Sequence, residues 1–554
     1  MPTRLLLALL ALAAPALAAP AKPPVADLRA EATALQLVQS VLGWYTRTVG
    51  EPAIQAETYR GHGALFAKPS IDLVGAAAKR AKDDGERRAL SYFKSYLVAE
   101  HIAQAISRFD DEAQNAELAA TVKLTWIAEP VPYKQLEILV GNEADAARRN
   151  EIEARRAEVW KGTLNPILER KEKEAQRLAK SLGYRSYVAL AEEFRAVELR
   201  RYIVEGERLR QATDELYGQL LTEVAAREMK VKPSQLRRAD IARLRKAPRF
   251  ARFFPKELMI PSFQHFLDGV GLSLKTVGGA TIRIDDAMHP QKEPRAACYS
   301  IRVPDDIRIT VKPTGGLDDF VTFFHEGGHA LHYANATTKV WELQQLGPYA
   351  LTEGLAETFG HVWDEPGWLR RYRAFVERWN QDHKTSFAVM TDADIVEVVH
   401  QRIFDEVYFL RRYASAKLIY ESALHGGDPA LWRGVYGGPT GDLAALYRDL
   451  FSKAYGFALD EADGLRFRTD VDDLFYAADY SRAFGLANLI HEGLRAKLGP
   501  AWFEKPAAGA VFKELAADGN RLLPDEVAKR FGYAQLDFAP SESRWQRLLG
   551  ERAK

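Results

Sequence analysis

The five residues His325-Glu326-Gly327-Gly328-His329 bring together two imidazoles and a carboxylate at the spacing that a catalytic zinc ion requires. On an α-helix, side chains four residues apart stand on one face about 5–6 Å from each other, so both histidines can direct a ring nitrogen at one ion. Glu326 points to the adjacent side, where it can accept a proton from a water that zinc acidifies to a pKa of about 7. The motif therefore predicts a zinc metallopeptidase.

The residues around this motif predict the helix that it needs. Asp318 and Asp319 suit a helical first turn because the helix dipole is positive there, and an apolar run leads from them into the motif. Gly327 and Gly328 each cost about 1 kcal/mol relative to alanine inside a helix. We therefore expect a neighbouring element to pack closely against them.

A catalytic zinc has three protein ligands and one open position, so another ligand must come from elsewhere in the chain. A third histidine six residues beyond His329 would indicate a different class of zinc peptidase, but that position is Asn335. A glutamate about twenty residues on, which marks another class, would fall near Tyr349. The next candidates are Glu353 and Glu357, which are four residues apart and so share one side of a helix. A solvated helix face is the alternative, although the neighbouring residues are mostly apolar.

Four segments carry a family resemblance. They are Ala297-Cys298-Tyr299-Ser300, Asp306-Ile307-Arg308-Ile309-Thr310, Asp318-Asp319-Phe320 before the histidine motif, and Thr352-Glu353-Gly354-Leu355-Ala356-Glu357. Together they resemble the zinc oligopeptidases of the thimet oligopeptidase and oligoendopeptidase F group, and their relatives the angiotensin-converting enzyme and the thermostable carboxypeptidases. The resemblance is strong over residues 290–365, weaker to about residue 495, and fragmentary in the N-terminal half.

The resemblance implies roles for both glutamates. Glu353, which follows His329 by 24 residues, matches the third zinc ligand of that superfamily. Glu357 matches an acidic residue that steadies a zinc-bound histidine, a support that metal-bound imidazoles generally have.

The resemblance also implies a tyrosine that hydrogen-bonds the oxyanion of the tetrahedral intermediate. In the matching segment, residues 475–484, Tyr480 is the first candidate for this donor and Tyr476 the second. Relatives commonly carry a Tyr-x-x-Tyr pair preceded by a histidine, whereas this chain has Ala483 in the second tyrosine's place and Asp473 near the histidine's. Packing of both rings into the core is the alternative interpretation.

Strand-like patterns occur at residues 281–284, 297–303 and 307–312. They precede the predicted helix that carries the histidine motif, which we call the zinc helix. The free edge of a sheet can bind an extended peptide as a further strand, which holds the scissile carbonyl without reading the peptide's sequence. We predict that Cys298, Tyr299, Ser300 and Ile301 form such a substrate-binding edge. A hairpin that only braces the zinc helix is the alternative.

Helical periodicity dominates the remainder of the chain. With the resemblance, it predicts a mainly α, two-lobed helical metallopeptidase fold with a small β-sheet beside the zinc helix. The peptidase domain is expected over residues 25–554, with an N-terminal lobe over about 25–255 and a catalytic lobe over about 256–545.

The N-terminus predicts export. Arg4 precedes a short apolar run, and Ala16-Leu17-Ala18 offers the small residues that a signal peptidase reads, which indicates a signal peptide over residues 1–18 and a flexible leader over 19–24. We expect a periplasmic or secreted protein. The lone Cys298 cannot form an internal disulfide. Lys plus Arg (76) nearly equal Asp plus Glu (75), so we expect neither nucleic-acid binding nor stable membrane insertion.

The sequence thus predicts a monomeric zinc metallopeptidase with one Zn²⁺ per chain, which cleaves internal bonds of short peptides with Glu326 as the general base. Two alternatives stay open. A dipeptidyl carboxypeptidase or carboxypeptidase would need a cation for the substrate's C-terminus, for which the candidates are Arg402, Arg411, Arg412 and Arg482. An inactive zinc-containing protein would bind peptides without turnover.

Overall fold

A computed structural model describes residues 24–51, 54–289, 292–293, 295–427, 429–430 and 441–550. The signal peptide predicted for residues 1–18 and all but the last residue of the leader lie outside this part of the chain. About 72% of the structure is helix and 4% is strand, which confirms the mainly α fold with a small sheet. Within the described part, no helix combines the length and the apolar character needed to cross a membrane.

Helices form most of the N-terminal half, interrupted by one short hairpin that the sequence did not predict. The helices are α1 (Val25–Val49), α2 (Gln55–Thr58), α3 (Lys68–Arg80), α4 (Asp84–Ala119), α5 (Leu136–Asn142), α6 (Ala146–Val159), α7 (Asn165–Ser181), α8 (Tyr187–Arg195), α9 (Leu199–Ala212), α10 (Asp214–Met229), α11 (Ile241–Lys246) and α12 (Met259–Val270). The hairpin pairs β1 (Thr121–Val122) with β2 (Val131–Pro132). A π-helical turn, Trp160–Leu164, joins α6 to α7 at Gly162.

The predicted sheet has three strands, β3 (Arg283–Asp285), β4 (Ala297–Arg302) and β5 (Asp306–Thr310). Their order is β3-β5-β4, with β3 parallel and β4 antiparallel to β5. The expected strands are thus confirmed within about two residues at each end, which is the usual uncertainty of element boundaries. Since β4 is the last strand in this order, the predicted edge, Cys298–Ile301, does lie on an edge strand.

The predicted zinc helix, which carries the histidine motif, follows the sheet directly and is the first of the C-terminal helices. These are α13 (Leu317–Ala334), α14 (Trp341–Gln345), α15 (Ala350–Gly360), α16 (Pro366–His383), α17 (Asp392–Leu410), α18 (Leu418–Leu424), α19 (Leu443–Tyr455), α20 (Glu461–Gly464), α21 (Tyr476–Leu498), α22 (Pro506–Ala516), α23 (Pro524–Arg530) and α24 (Ala539–Gly550). A π-helical segment, Arg411–Lys417, connects α17 to α18. Helix α13 begins at Leu317, one residue before the predicted start at Asp318.

Helix α13 is held tightly between aromatic rings and α15. A Cβ atom on Gly327 would overlap the ring of Phe263, and one on Gly328 would lie 2.7 Å from the Cα of Ala356. The close packing expected at both glycines is therefore confirmed. It brings the motif's histidines and the start of α15 to one place.

Candidate metal centre

Three side chains from α13 and α15 converge on one point. The Nε2 atoms of His325 and His329 lie 3.4 and 3.5 Å from the Oε2 atom of Glu353, and one ligand atom from each of the three lies within 4.8 Å of the others. A tetrahedral ion with bonds of about 2.0–2.2 Å separates its ligand atoms by about 3.3–3.6 Å. The structure therefore brings together the three residues that the sequence predicted as metal ligands, at distances that a zinc ion fits.

The unpartnered oxygen of Glu353 supports this fit. Its Oε2 atom is buried and has no hydrogen-bond partner among the described residues, an arrangement that costs free energy unless a cation or a donor satisfies it. Although burial opposes ionisation, the adjacent His329 and His325 hold the pKa of the Glu353 carboxyl far below its usual range. Two imidazole nitrogens and one anionic carboxylate oxygen form a donor set that zinc prefers.

The two histidines are each oriented by their other ring nitrogen. The Nδ1 atom of His325 lies 3.1 Å from Glu357, the residue that the resemblance put in this supporting position. Burial alone would lower the pKa of His325, but Glu357 and Glu353 outweigh it and raise that pKa above its usual value. The Nδ1 atom of His329 is 2.9 Å from the hydroxyl of Thr352. Both contacts leave Nε2 directed at the candidate metal position.

A buried imidazole continues this support beyond Glu357. The second oxygen of Glu357 lies 3.5 Å from Nε2 of His361, one helical turn further along the chain. Burial and the nearby Arg544 lower the pKa of His361, so this imidazole is neutral near pH 7. Sequence reasoning did not single out Thr352 or His361, although a polar residue directly before Glu353 and a histidine four after Glu357 were visible signals.

The predicted general base lies against the sheet. One carboxylate oxygen of Glu326 accepts a hydrogen bond of 2.7 Å from the backbone N–H of Cys298 in the edge strand. This bond fixes the direction of the carboxylate beside the two histidines. Burial, with the Glu326 charge nearby, raises the pKa of the Cys298 thiol well above its ordinary value, so the thiol stays protonated at neutral pH.

The other predicted edge residues have partners of their own. The carbonyl of Ser300 accepts a hydrogen bond of 3.0 Å from Gln345, and the Ser300 hydroxyl donates to the same amide. The Tyr299 hydroxyl donates to the carbonyl of Gly43, which joins β4 to α1. Ile301 is buried in the core. The edge of β4 is thus braced at Ser300 and Cys298, and a bound peptide would have to share these groups.

Both predicted tyrosines lie near Glu353, in different roles. The Tyr476 hydroxyl donates a hydrogen bond of 2.6 Å to the Oε1 atom of Glu353. The Tyr480 ring packs against that of Tyr476, with centroids 4.6 Å apart, and its hydroxyl has no hydrogen bond to another described residue. Burial and the charge of Glu353 raise the pKa of both phenols, so both stay protonated as donors. The Tyr476 hydroxyl is thus already bound to the candidate ligand Glu353, whereas the Tyr480 hydroxyl can donate a hydrogen bond to a substrate.

A second set of residues, His361, Asp364 and Glu406, also has ligand atoms within 4.8 Å of one another. Arg402 donates to Asp364 at 2.8 Å, and Arg544 lies 3.0 Å from Asp364 and 3.6 Å from Glu406. These guanidinium groups already neutralise the carboxylates and would repel a metal ion. We therefore interpret this set as a buried ion-pair network behind the metal centre.

The four arginines considered for a substrate's C-terminal carboxylate all have partners in the protein. Arg402 pairs with Asp364, and Arg412 pairs with Asp470. Arg411 binds backbone carbonyls and Asp214, and Arg482 binds Asp479 and the carbonyls of residues 195 and 196. A carboxypeptidase would therefore need a different cation.

A cavity of about 1090 Å³ lies between the N-terminal helices and the loop before α15. Among the described residues of its wall there is neither a candidate metal ligand nor Glu326. Gln345, which binds the edge strand, and Tyr349 belong to its wall. The Tyr349 ring packs against that of Tyr476 at 5.6 Å, and Tyr476 in turn donates to Glu353. These two contacts link the wall of the cavity to the candidate ligand Glu353.

Comparison with known proteins leaves the family open, since no family model and no curated protein matches the chain.

Proposed function

We propose that this chain is a zinc metallopeptidase, similar to the thimet oligopeptidase and oligoendopeptidase F group, which hydrolyses internal bonds of short peptides. The observation that carries the proposal is the convergence of His325, His329 and Glu353 beside the carboxylate of Glu326. A structural metal site would have four protein ligands, but it would not need a further carboxylate beside them that is not itself a ligand.

Zinc, when bound by these three side chains, supplies Lewis-acid chemistry that acidifies water and polarises a peptide carbonyl. In the proposed reaction, Glu326 accepts the proton of the attacking water and later passes it to the leaving amine. The hydrogen bond from Cys298 holds that carboxylate in one orientation. Such fixed geometry contributes to catalysis because the base need not be ordered during the reaction.

Tyr480 is the proposed oxyanion donor, because its hydroxyl is protonated and has no hydrogen bond to a described residue. Tyr476 is proposed to hold Glu353 in position through its short hydrogen bond. The edge of β4 is the proposed docking strand for an extended substrate. We further propose export to the periplasm or the medium and action as a monomer with one zinc per chain.

Glu326→Gln tests the proposal, because the amide keeps the shape of the side chain and cannot accept the proton. Metal analysis should find near-stoichiometric zinc, while the rate on a quenched peptide should fall at least about 10²-fold. The matched control is Glu377→Gln on the exposed surface of α16, which should keep the wild-type rate. Near-normal turnover by the Glu326 variant would refute the mechanism.

Peptides blocked at both ends separate the alternatives. Cleavage of blocked peptides supports internal hydrolysis, and a requirement for a free C-terminus would indicate a carboxypeptidase. Binding of peptides by the zinc-loaded protein without any hydrolysis would indicate an inactive binding protein. The engagement of all four candidate arginines favours the first outcome.

A further inference from the structure

One face of α4 forms part of the cavity wall and carries the acidic residue Glu100. Tyr92, Tyr96 and Glu100 follow at intervals of four residues, so they lie on one side of the helix and all line the cavity. The Tyr92 ring lies against Gly347 and the Tyr96 ring against Trp341, which places this face next to the segment leading to Glu353. Tyr349 of the same wall packs against Tyr476, the hydrogen-bond partner of Glu353, so the wall that carries Glu100 is linked to the candidate metal centre through these two rings.

Glu100 differs from the other acidic residues of the cavity because it has no cationic partner in the described part of the chain. Asp72 pairs with Lys68 at 2.8 Å, and Glu193 pairs with Lys94 at 2.6 Å. Glu100 accepts a hydrogen bond of 2.6 Å from the Tyr59 hydroxyl, and no ion pair offsets its charge. A largely buried carboxylate without a counter-charge is costly, so a cation supplied by a ligand would stabilise its ionised form.

The surroundings of Glu100 suit an organic cation. The neighbouring hydroxyl of Tyr96 is buried and has no hydrogen-bond partner among the described residues. Two aromatic residues of the same wall, Tyr96 and Tyr92, lie one and two helical turns before Glu100, and aromatic rings attract an ammonium or guanidinium group. Burial raises the pKa of Glu100, and the hydrogen bond from Tyr59 opposes that rise. A bound cation would act in the same direction as Tyr59 and favour the carboxylate.

We propose that Glu100 forms a subsite for a positively charged group of the peptide substrate. The group is either the N-terminal ammonium or a lysine or arginine side chain, because both present N–H donors to a carboxylate. This inference rests on the proposed peptidase function, and it names the class of substrate that the cavity selects. The competing interpretation is a carboxyl group that only anchors Tyr59, in which case the charge of the substrate would not matter.

The test uses the full-length, zinc-loaded protein and a set of internally quenched nonapeptides. One series has a free or an acetylated N-terminus, and the other has lysine or the isosteric norleucine at each position in turn. The variants are Glu100→Gln and, as the matched control, Glu193→Gln, a cavity carboxylate that already has Lys94 as its partner. Zinc content and the urea midpoint of each variant establish that it is folded.

The wild-type protein should lose about 10- to 100-fold in kcat/KM when the relevant positive charge is removed, the range of a charge-assisted hydrogen bond. A lower kcat/KM on acetylation would identify the N-terminal ammonium as the group that binds Glu100. A lower kcat/KM when norleucine replaces lysine at one position would identify a side chain instead. Glu100→Gln should cleave charged and neutral peptides equally well, whereas Glu193→Gln should keep the wild-type preference. Equal cleavage of all peptides by the wild-type protein, or an unchanged preference in Glu100→Gln, would overturn the subsite.

Failure of the proposed function has a different signature. If the zinc-loaded wild-type protein cleaves none of the peptides, the peptidase proposal fails, and the same fluorescent peptides then report binding by anisotropy. Charge-dependent binding that Glu100→Gln abolishes would still support the cation site, and charge-independent binding would refute it. If Glu100→Gln does not fold, the wild-type protein can still refute the subsite, because equal cleavage of charged and neutral peptides excludes a charge-selective site. Glu100→Asp, which keeps the charge but shortens the side chain, then replaces Glu100→Gln, and an unchanged preference in that variant would overturn the assignment to Glu100.

Discussion

Gly328→Ala should weaken both the fold and the metal centre, because α13 and α15 touch at this residue. The added Cβ would lie 2.7 Å from the Cα of Ala356, and an ordinary contact needs at least 3.4 Å, so the helices must separate locally by about 0.7 Å. Overpacking of this kind costs about 1–3 kcal/mol. The same shift carries Thr352 and Glu353 away from His329, so zinc affinity should fall as well.

Urea unfolding with a chelator present measures the first effect, and zinc competition with a chromogenic chelator measures the second. The control is Gly218→Ala, an exposed glycine in α10 with no atom within 4 Å of the added Cβ. There the same substitution should stabilise the protein by about 0.4–1 kcal/mol, because alanine favours the helix and restricts the unfolded chain. A wild-type urea midpoint and wild-type zinc affinity in Gly328→Ala would refute the packing argument.

Three further predictions concern the metal centre itself. Glu353→Ala should lower zinc affinity more than Glu357→Ala, for which we expect a loss of about 10–100-fold; a chelator titration giving the reverse order would exchange their roles. Tyr480→Phe should lower kcat about 10²–10³-fold with unchanged zinc affinity, whereas Tyr476→Phe should weaken zinc binding by loosening Glu353; equal effects on both quantities would reject this division. Free zinc at about 100 times its Kd should stabilise the wild-type protein by about 2.7 kcal/mol in urea unfolding, and an unchanged midpoint would mean that the folded state has no such site.

The local parts of the fold could be predicted because they follow from short-range patterns. The spacing of His325 and His329 and the acidic first turn determine a helix, and Glu353 and Glu357 share one face for the same geometric reason. In β5, the buried Ile307 and Ile309 alternate with the less buried Arg308, and a short turn joins β4 to β5. The glycine pair predicted close packing, although no pattern identified Phe263 and Ala356 as the partners.

Contacts between distant segments could not be predicted, because they depend on how the helices pack in three dimensions. The hydrogen bond from Tyr476 to Glu353 joins residues 123 positions apart, and Glu100 belongs to the cavity only because α4 turns that face inward. The hairpin of β1 and β2 was missed because its strands have two residues each, too few for a period to be recognised. The division into two lobes stays a prediction.

The position of Tyr476 depends on a residue from the N-terminal half of the chain. Leu474 and Phe475, directly before α21, have φ angles of 51° and 54°, a region that is strained for residues with side chains. The buried Arg195 of α8 donates to the carbonyl of Leu474 at 2.8 Å and pairs with Asp479 at 2.7 Å. Its guanidinium also lies 4.7 Å from the centre of the Tyr476 ring.

This arrangement explains why the strained turn persists. A charged donor bound to the turn's carbonyl on one side and to a buried carboxylate on the other offsets a strain of about 1–3 kcal/mol per residue. The tyrosine that holds Glu353 is therefore fixed by α8, while β4 fixes Glu326 through Cys298. The candidate metal ligands come from two adjacent helices, but their orientation requires both halves of the chain. A fragment that contains only α13 and α15 would lack Cys298, which binds the Glu326 carboxylate, and Arg195, which fixes the turn before Tyr476.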